Sequence, residues 1–382
     1  MNGPHRPPGA TILVLNSGSS SVKYRLLDPA NPSAGVGGQV ERIGESPQMP
    51  DHQAALERVF AEVDSSAVWA VGHRVVHGGG RFVEPTEIDD RVVAAIEALV
   101  PLAPLHNPGS LVGIRAARAL LPDVPHVAVF DTAFHATLPP GAYTYAIDRA
   151  TAARWEVRRY GFHGTSHRFV AAGTAALLGI PLAALNVIVL HLGNGASAAA
   201  VRGGRSVETS MGLTPLEGLV MGTRAGDLDP AVLQYLHHAA GFGFDELDDL
   251  LEHRGGLLGL CGDNDMRAVL ARRAAGDPPA SLAFDVYCHR LRKYIGAYHA
   301  VLGRLDAITF TAGVGEHAAE VRAGCLAGLE MWRIAVDPVR NGHGEGPRVI
   351  SPDGAAVAVC VVPTDEELAI AEEVRLLLAV EG

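Results

Sequence analysis

Lysine is nearly missing from this chain: of 31 basic residues, only Lys23 and Lys293 are lysines. A bias towards arginine accounts for the scarcity, and a lysine kept under that bias is more often one needed for its compact ammonium. Cysteine is scarce too. Cys261, Cys288, Cys325 and Cys360 fall in the last third without C-x-x-C spacing, which excludes a disulfide framework and a zinc ribbon and suits a reducing cytosol. An excess of positive charge is absent. The formal net charge of −11 argues against a nucleic-acid partner, so any phosphate must be met by a few concentrated cations. The longest strongly apolar stretch, Ala355–Val362, is far short of the roughly 20 residues of a membrane span. The opening residues, MNGPHRPPGAT, have no apolar run of the signal-peptide kind. The expectation is a soluble, cytoplasmic protein without membrane or nucleic-acid partners. What is present is 382 residues, 48% hydrophobic and 19% charged. That suits two domains with sizeable cores and is too apolar for disorder.

Residues 11–27, TILVLNSGSSSVKYRLL, read as a buried-type strand, a Ser/Gly turn and an alternating return strand. Residues 186–201, NVIVLHLGNGASAAAV, repeat the plan. A slide of 175 positions sets Ile12–Asn16 on Val187–His191 and Gly18 on Gly193, the mark of a duplicated domain. Further strands are expected at Val68–Val71, Val127–Val129, Ala307–Phe310 and Ala356–Val362. Helices are expected at Asp90–Leu99, Asn107–Leu121, His167–Leu178, Pro230–His238, Ala280–Leu302 and Glu316–Gly328, and a last helix is expected to begin at a Thr364/Glu367 capping box. The Pro/Gly-rich stretches 29–38 and 341–354 read as loops. Alternating strands and helices give an α/β class.

Three glycine turns stand at strand ends. The first, Asn16-Ser-Gly-Ser-Ser-Ser-Val-Lys23, offers amides, hydroxyls and one ammonium, a concavity suited to phosphate oxygens; an ordinary polar hairpin has the same composition. The second, His191-Leu-Gly-Asn-Gly195, lets backbone approach a ligand closely. As a repeat of the first, it reads as the other jaw on one phosphate chain. The third, Phe310-Thr-Ala-Gly-Val-Gly-Glu-His317, runs from a strand to a helix start, which favours anions. None is a P-loop or a dinucleotide fingerprint. His73/His77 and His163/His167 are spaced i,i+4, a spacing that on a helix suits zinc, but the first pair sits among glycines and neither has an obvious third ligand. Histidines donating to anions are the better reading; for His106 and His135 a lone buried histidine is the bland one.

Nine segments run in order through residues 15–367: LNSGSSSVKY, GHRVVHGG, PLHNP, FDTAFH, YGFHGTSH, HLGNGAS, TSMGLTPLEGLVMGTRAGDLDP, FTAGVGEH and PTDEE. Together they resemble the acetate kinase family, within the acetate and sugar kinase/heat-shock chaperone/actin superfamily. The resemblance implies two ribonuclease-H-like α/β domains, of the actin-like ATPase kind, with the site in the cleft between them. One spans about 1–133 and regains the C-terminal helix at about 368–382. The other covers 134–367 and carries the nucleotide side and the interface of a homodimer.

The implied reaction is reversible phosphoryl transfer from ATP to acetate, giving ADP and acetyl phosphate. By motif position, Arg74 and Arg224 flank the transferred phosphoryl group, His163 donates to its oxygens, and Asp131 orients arginine or magnesium-bound water. A surface ion pair is the bland reading of each arginine. Asn16, Ser19, Ser21 and Lys23 correspond to the first phosphate turn, and His106 and His191 to further site histidines. Gly193, Asn194 and Gly195 form the second turn. Magnesium, with manganese as a substitute, falls to Asn16 and Glu366; Glu366 also reads as a first-turn helix carboxylate. Val76, Leu105, Phe162 and Pro215 correspond to the apolar wall for the acetate methyl.

On the adenosine side, Asp265-Met266-Arg267 stands for the family's Asp-Phe-Arg. Gly313-Val314-Gly315-Glu316-His317 stands for its Gly-Ile-Gly-Glu-Asn. Met266 is more adaptable than an aromatic ring, so purine triphosphates other than ATP are expected to be accepted. His317 is expected at a helix start, where the dipole disfavours an imidazolium. A kinase for propionate or butyrate differs in the size of the methyl pocket. A chaperone-like or filament-forming ATPase would need extra domains or assembly surfaces.

Overall fold

The computed structural model describes residues 11–18, 21–44 and 49–380. The chain forms two compact units. The first takes in the chain through Ala136, Gly164–Ser166 and the stretch from Asp365; the second takes in Thr137–His163 and His167–Thr364.

The first unit is built on β1 (Thr11–Ser17), β2 (Ser21–Asp28), β3 (Asn31–Glu41), β4 (Val68–Val75), β5 (Thr86–Glu87) and β6 (His126–Phe130), in the order β3-β2-β1-β4-β6-β5. The second is built on β7 (Asn186–Leu192), β8 (Ala196–Arg202), β9 (Arg205–Thr209), β10 (Ala307–Thr311), β11 (Arg348–Val349) and β12 (Ala358–Val361), in the order β11-β12-β10-β7-β8-β9. Read from the opposite edge, the second order is the first. The directions also correspond: β1 pairs antiparallel with β2 and parallel with β4, as β7 does with β8 and β10. This is the duplicated ribonuclease-H-like plan. The repeat found by the 175-residue slide is the hairpin β1–β2 set against the hairpin β7–β8.

Period-two side chains give the first sheet two buried faces. Leu13 and Leu15 pack with Leu56 and Val59 of the helix His52–Glu62 and with Ala117 of the helix Asn107–Leu120. Ile12 and Val14 pack with Ile370, Val374 and Leu378 of the C-terminal helix Glu366–Val380. Gly72 permits that second contact, because a Cβ there would lie 2.9 Å from Ile370 Cγ2 and 3.0 Å from Val374 Cγ2. In the second unit β7 is buried throughout. The 25-residue helix Pro278–Leu302 buries Phe284, Tyr287, Leu291, Ile295, Tyr298 and Leu302, a helical-period stripe.

Two local expectations are corrected. Residues 31–38 are strand, not loop. The glycines there serve close strand pairing, since a Cβ on Gly37 would sit 2.8 Å from Tyr24 O and one on Gly38 2.9 Å from Tyr24 Oη. The helix expected over 316–328 is broken at Ala318 into Ala312–His317 and Ala319–Leu326. At the start of the C-terminal helix the Leu368 N–H donates to Asp365 Oδ1 at 2.9 Å, so Asp365 caps it. Asp365 also accepts both hydrogen bonds from Arg25 Nη1, at 2.8 and 2.6 Å.

A buried imidazole pair lies in the first sheet. The Nε2–H of His126 donates to Leu121 O at 2.9 Å, so its Nδ1 accepts from His73 Nε2 at 3.0 Å. Burial pushes both pKa values down, that of His73 well down, and the nearby Arg118 charge adds to the shift in each. Depressed histidines favour the native state where both are neutral. Their contribution is therefore full above the unfolded value of about 6.5 and is lost as pH falls, by up to about 1.4 kcal/mol per pH unit for each group. The urea midpoint is expected to drop between pH 7 and pH 5. His73→Gln should lower the pH 7 midpoint yet flatten that drop; an unchanged pH slope in the variant would remove the pair as its cause.

Candidate active site

In the first unit the functional side chains gather at the ends of β1, β4 and β6. Arg74, next to last in β4, forms a fork with Asp131, which directly follows β6. Nε donates to Oδ1 at 3.0 Å and Nη2 to Oδ2 at 2.6 Å, the bidentate geometry of a strong ion pair. Glu366 Oε2 lies 3.7 Å from Arg74 Nε. Burial works against the Arg74 charge, but Asp131 and Glu366 outweigh it and its pKa is raised. Burial raises the Asp131 carboxyl, Arg74 pulls it only part of the way back, Glu366 adds to the rise and His106 gives a smaller pull down. Asp131 is held through its backbone as well: its N–H donates to Val75 O at 3.0 Å, and its carbonyl accepts from Gly164 N at 2.9 Å. A Cβ at Gly164 would fall 2.2 Å from that carbonyl oxygen, so glycine is required there.

The segment after Arg74 is fixed by an asparagine clamp. Asn107 Oδ1 accepts from His77 N at 3.2 Å, and its Nδ2 donates to His77 O at 3.1 Å. Val76 is half-buried between these anchors, His106 is half-buried, and Leu105 is exposed. In the first turn Asn16 stands opposite Lys23 in the β1–β2 register, and Gly18 N donates to Ser21 O at 2.8 Å. Lys23 Nζ is 2.5 Å from Glu367 Oε1 and its side chain is 54% exposed, so its charge is shared with that carboxylate. Ser19 lies outside the described residues.

The second unit carries two constellations. The first is a histidine group. The His163 and His191 rings stack with centroids 4.1 Å apart. Ser197 Oγ lies 2.9 Å from His163 Nδ1 and 2.7 Å from His167 Nε2. His163 has φ 55° and ψ 26° as the N-cap of the helix Gly164–Leu178, a left-handed backbone that costs a non-glycine residue roughly 1–2 kcal/mol. Phe162 beside it is buried.

Arg224 borders this group. A Cβ at Gly195 would lie 2.9 Å from Arg224 Nη2 and 3.6 Å from His163 Cε1, so glycine keeps the space in front of the guanidinium clear. Arg224 Nη1 donates to Pro215 O at 2.7 Å, and its acidic neighbour Glu252 stays 3.9 Å from Nε. Burial lowers the Arg224 pKa and Glu252 only partly restores it. This cation is thus less well neutralised than Arg74. Gly256, at φ 60°, lets the chain fold under the Arg224 turn, where a Cβ would meet Met221 O at 2.2 Å.

The second constellation is a cavity of about 320 Å³. Gly193 and Asn194 border it on one side, Asp265, Met266 and Arg267 on another, and Gly313, Val314 and His317 on a third. Asp265 caps the helix Met266–Ala274 and pairs with Arg267 Nη2 at 2.7 Å. Gly315 is buried behind the loop. Ala312, not a glycine, takes the left-handed backbone there, at φ 63°. His317 is the last residue of the helix Ala312–His317 and directly precedes Ala318, the N-cap of the helix Ala319–Leu326.

Residues the sequence did not single out complete this site. Leu270 and Glu320 line the cavity; Leu270 lies one turn beyond Met266 in the same helix, a spacing that points to it, whereas Glu320 lies past the break at Ala318. Arg322 is 1% exposed. It donates to the carbonyls of Gly315 and Glu316, both at 2.9 Å, and to Asn341 Oδ1 at 2.7 Å. Burial pushes its pKa down to about 10. It ties the glycine loop down with a guanidinium and no carboxylate.

Sheet order thus defines a duplicated actin-like α/β protein with glycine turns at matching places in both units. The model of the acetokinase family matches residues 11–372, and the chain belongs to that family. It is 58% identical to the acetate kinase of Streptomyces avermitilis over 96% of this chain and 97% of that one. Among solved structures it is similar to Porphyromonas gingivalis acetate kinase, with TM-score 0.91 and 40% identity over 97% of this chain and all of that one. It is also similar to a propionate kinase from Francisella tularensis, with TM-score 0.87 and 38% identity over 95% and 98%. Among the described residues no helix is long and apolar enough to cross a membrane.

Proposed function

We propose that this chain is an acetate kinase, transferring the γ-phosphoryl group of ATP reversibly to acetate by direct in-line attack of the carboxylate. Acetate titrates near pH 4–5 and needs no base at pH 7. The difficulty is bringing two anions together, so positioning and positive charge carry the catalysis. The observation that carries this reading is Arg224: a half-buried guanidinium whose acidic neighbour Glu252 stays 3.9 Å from Nε, with glycine in front of it and a histidine beside it, suits an anionic group that arrives with the substrate. Arg74, fixed by Asp131, supplies the second fork. His163 donates to the phosphoryl oxygens, with His191 and His106 as further donors. Asn16, Ser21 and Lys23 form one phosphate turn, and Gly193–Gly195 the other. Adenosine occupies the cavity bordered by Asp265–Arg267 and by Gly313–Gly315 with His317. Val76, Leu105, Phe162 and Pro215 meet the acetate methyl.

Magnesium is the metal this donor set fits. Glu366 offers a carboxylate oxygen and Asn16 an amide oxygen, both hard donors, and too few to hold an ion that does not also bind phosphate and water. When bound, the ion screens the nucleotide phosphates. The protein acts in the cytoplasm as a homodimer. The helix Ala231–Ala240 supports the second point: its sequence is AVLQYLHHAA, yet none of its residues is buried, and Tyr235 is 70% exposed.

Trapping the product with hydroxylamine tests the reading. Hydroxamate should form only with acetate, ATP and magnesium or manganese together, and GTP should replace ATP because Met266 is an adaptable wall. ATP hydrolysis indifferent to acetate, with no hydroxamate, would refute it. Acetate should be preferred over propionate, one methylene being worth roughly 1–3 kcal/mol, and Val76→Ala should shift kcat/KM towards propionate. Equal kcat/KM for the two acids in the native protein would instead favour a broader short-chain acyl kinase.

A further inference from the structure

We propose that Ser197 is a positioning residue that selects the tautomer of His163, as the middle of a relay running His167–Ser197–His163. The proposal rests on the reading of His163 as the phosphoryl donor and explains how that donor is aimed. Ser197 stands in β8 and is fully buried, as is His167. Its hydroxyl is within hydrogen-bond distance of both rings, at 2.7 Å from His167 Nε2 and 2.9 Å from His163 Nδ1.

A hydroxyl carries one proton and two lone pairs, so it donates to at most one of the two rings. If His163 Nδ1–H donates to Ser197, the singly protonated ring has no proton on Nε2 and cannot donate from that edge. If His167 Nε2–H donates to Ser197 and Ser197 donates to His163 Nδ1, the His163 proton sits on Nε2. Only the second arrangement lets His163 donate from the nitrogen that is not on Ser197. The left-handed backbone of His163 and the His191 ring stacked at 4.1 Å, with 20° between planes, hold the imidazole plane. Ser197, in contact with Nδ1, bears on the proton's position, as outer hydrogen bonds commonly set it for histidines in metal and catalytic sites.

The test reads the tautomer directly. Protein labelled with 15N-histidine gives two-bond nitrogen–proton patterns that distinguish Nε2–H from Nδ1–H, and the His163 signal is the one lost in His163→Asn. Native protein should show His163 as Nε2–H with Nδ1 accepting. Ser197→Ala should mix the tautomers and lower kcat for acetyl phosphate formation by about 10–100-fold, the usual effect of losing such an outer partner, with both KM values held within about twofold. Ser197→Cys, similar in size and a weak donor, should recover part of both readouts. A native Nδ1–H tautomer overturns the relay even if Ser197→Ala does not fold. A His163 pattern unchanged in Ser197→Ala overturns it whatever the rate. Full activity in His163→Asn removes the donor reading instead, and leaves the tautomer result to judge the relay.

Discussion

Replacing Arg224 by alanine is expected to lower kcat for acetyl phosphate formation by about 10³–10⁵-fold, the range for removing an arginine that stabilises a phosphoryl transition state. The KM for ATP should move only a few-fold, because the matching charge is greatest in the transition state. The expectation comes from the guanidinium's surroundings. Its polar contacts are Pro215 O at 2.7 Å and Glu252 at 3.9 Å, and burial has already lowered its pKa. A cation in that setting gains much from an incoming anion. Arg224→Lys should rescue poorly, since an ammonium has no planar fork with which to hold Pro215 O and face an oxygen together. The loss should not be a folding defect: Glu252, whose carboxyl burial already raises, can protonate once Arg224 is gone. Initial rates across ATP and acetate concentrations, with a thermal melt as control, decide it. A fully active Arg224→Lys enzyme would show that no fork is needed, and a change in ATP KM alone would assign the residue to ground-state binding.

What was legible in the sequence is what local chemistry writes. The hairpins β1–β2 and β7–β8 stand out because buried strands ending in glycine and hydroxyl residues have few other uses, and their repetition gave the duplicated fold. Composition misled where glycine had a second meaning. Residues 31–38 look like loop, but Gly37 and Gly38 are there because Tyr24 leaves no room for a Cβ. The break at Ala318 carries no proline or glycine to announce it.

Partnerships were the illegible part of the site. Arg74 is recognisable as a phosphate-type arginine, yet the fork with Asp131 spans 57 positions. Arg25 meets Asp365 across 340, and Ser197 meets His167 across 30. Such contacts follow from which strands are neighbours, and no spacing rule reaches that far. Arg322 shows the same limit from the other side. In sequence it is one arginine among many, and only the carbonyls of Gly315 and Glu316 around it reveal that it holds the glycine loop after β10.

Asp131→Asn should damage both the stability and the activity of the first unit, and it separates two roles of that carboxylate. Asp131 is 1% exposed and accepts from two Arg74 nitrogens at 3.0 and 2.6 Å. Asparagine keeps the shape but turns an N–H₂ towards a donor and removes the charge. Breaking a buried pair from one side commonly costs about 3–5 kcal/mol, because the remaining charge stays buried; here Glu366, 3.7 Å from Arg74 Nε, can move in and limit the loss. That compensation has its own consequence. A Glu366 engaged by Arg74 is less available as a metal-side oxygen, so the magnesium concentration for half-maximal rate should rise along with a fall in kcat of about 10²–10³-fold, the scale of losing one preorganised stabilising group. The checks are a thermal melt and a magnesium titration at saturating ATP and acetate. A melt as stable as the native protein would show that the Arg74–Asp131 fork does not hold this part of the unit together. A lower melting temperature with native kcat and native magnesium dependence would confine Asp131 to folding and take it out of the catalytic reading.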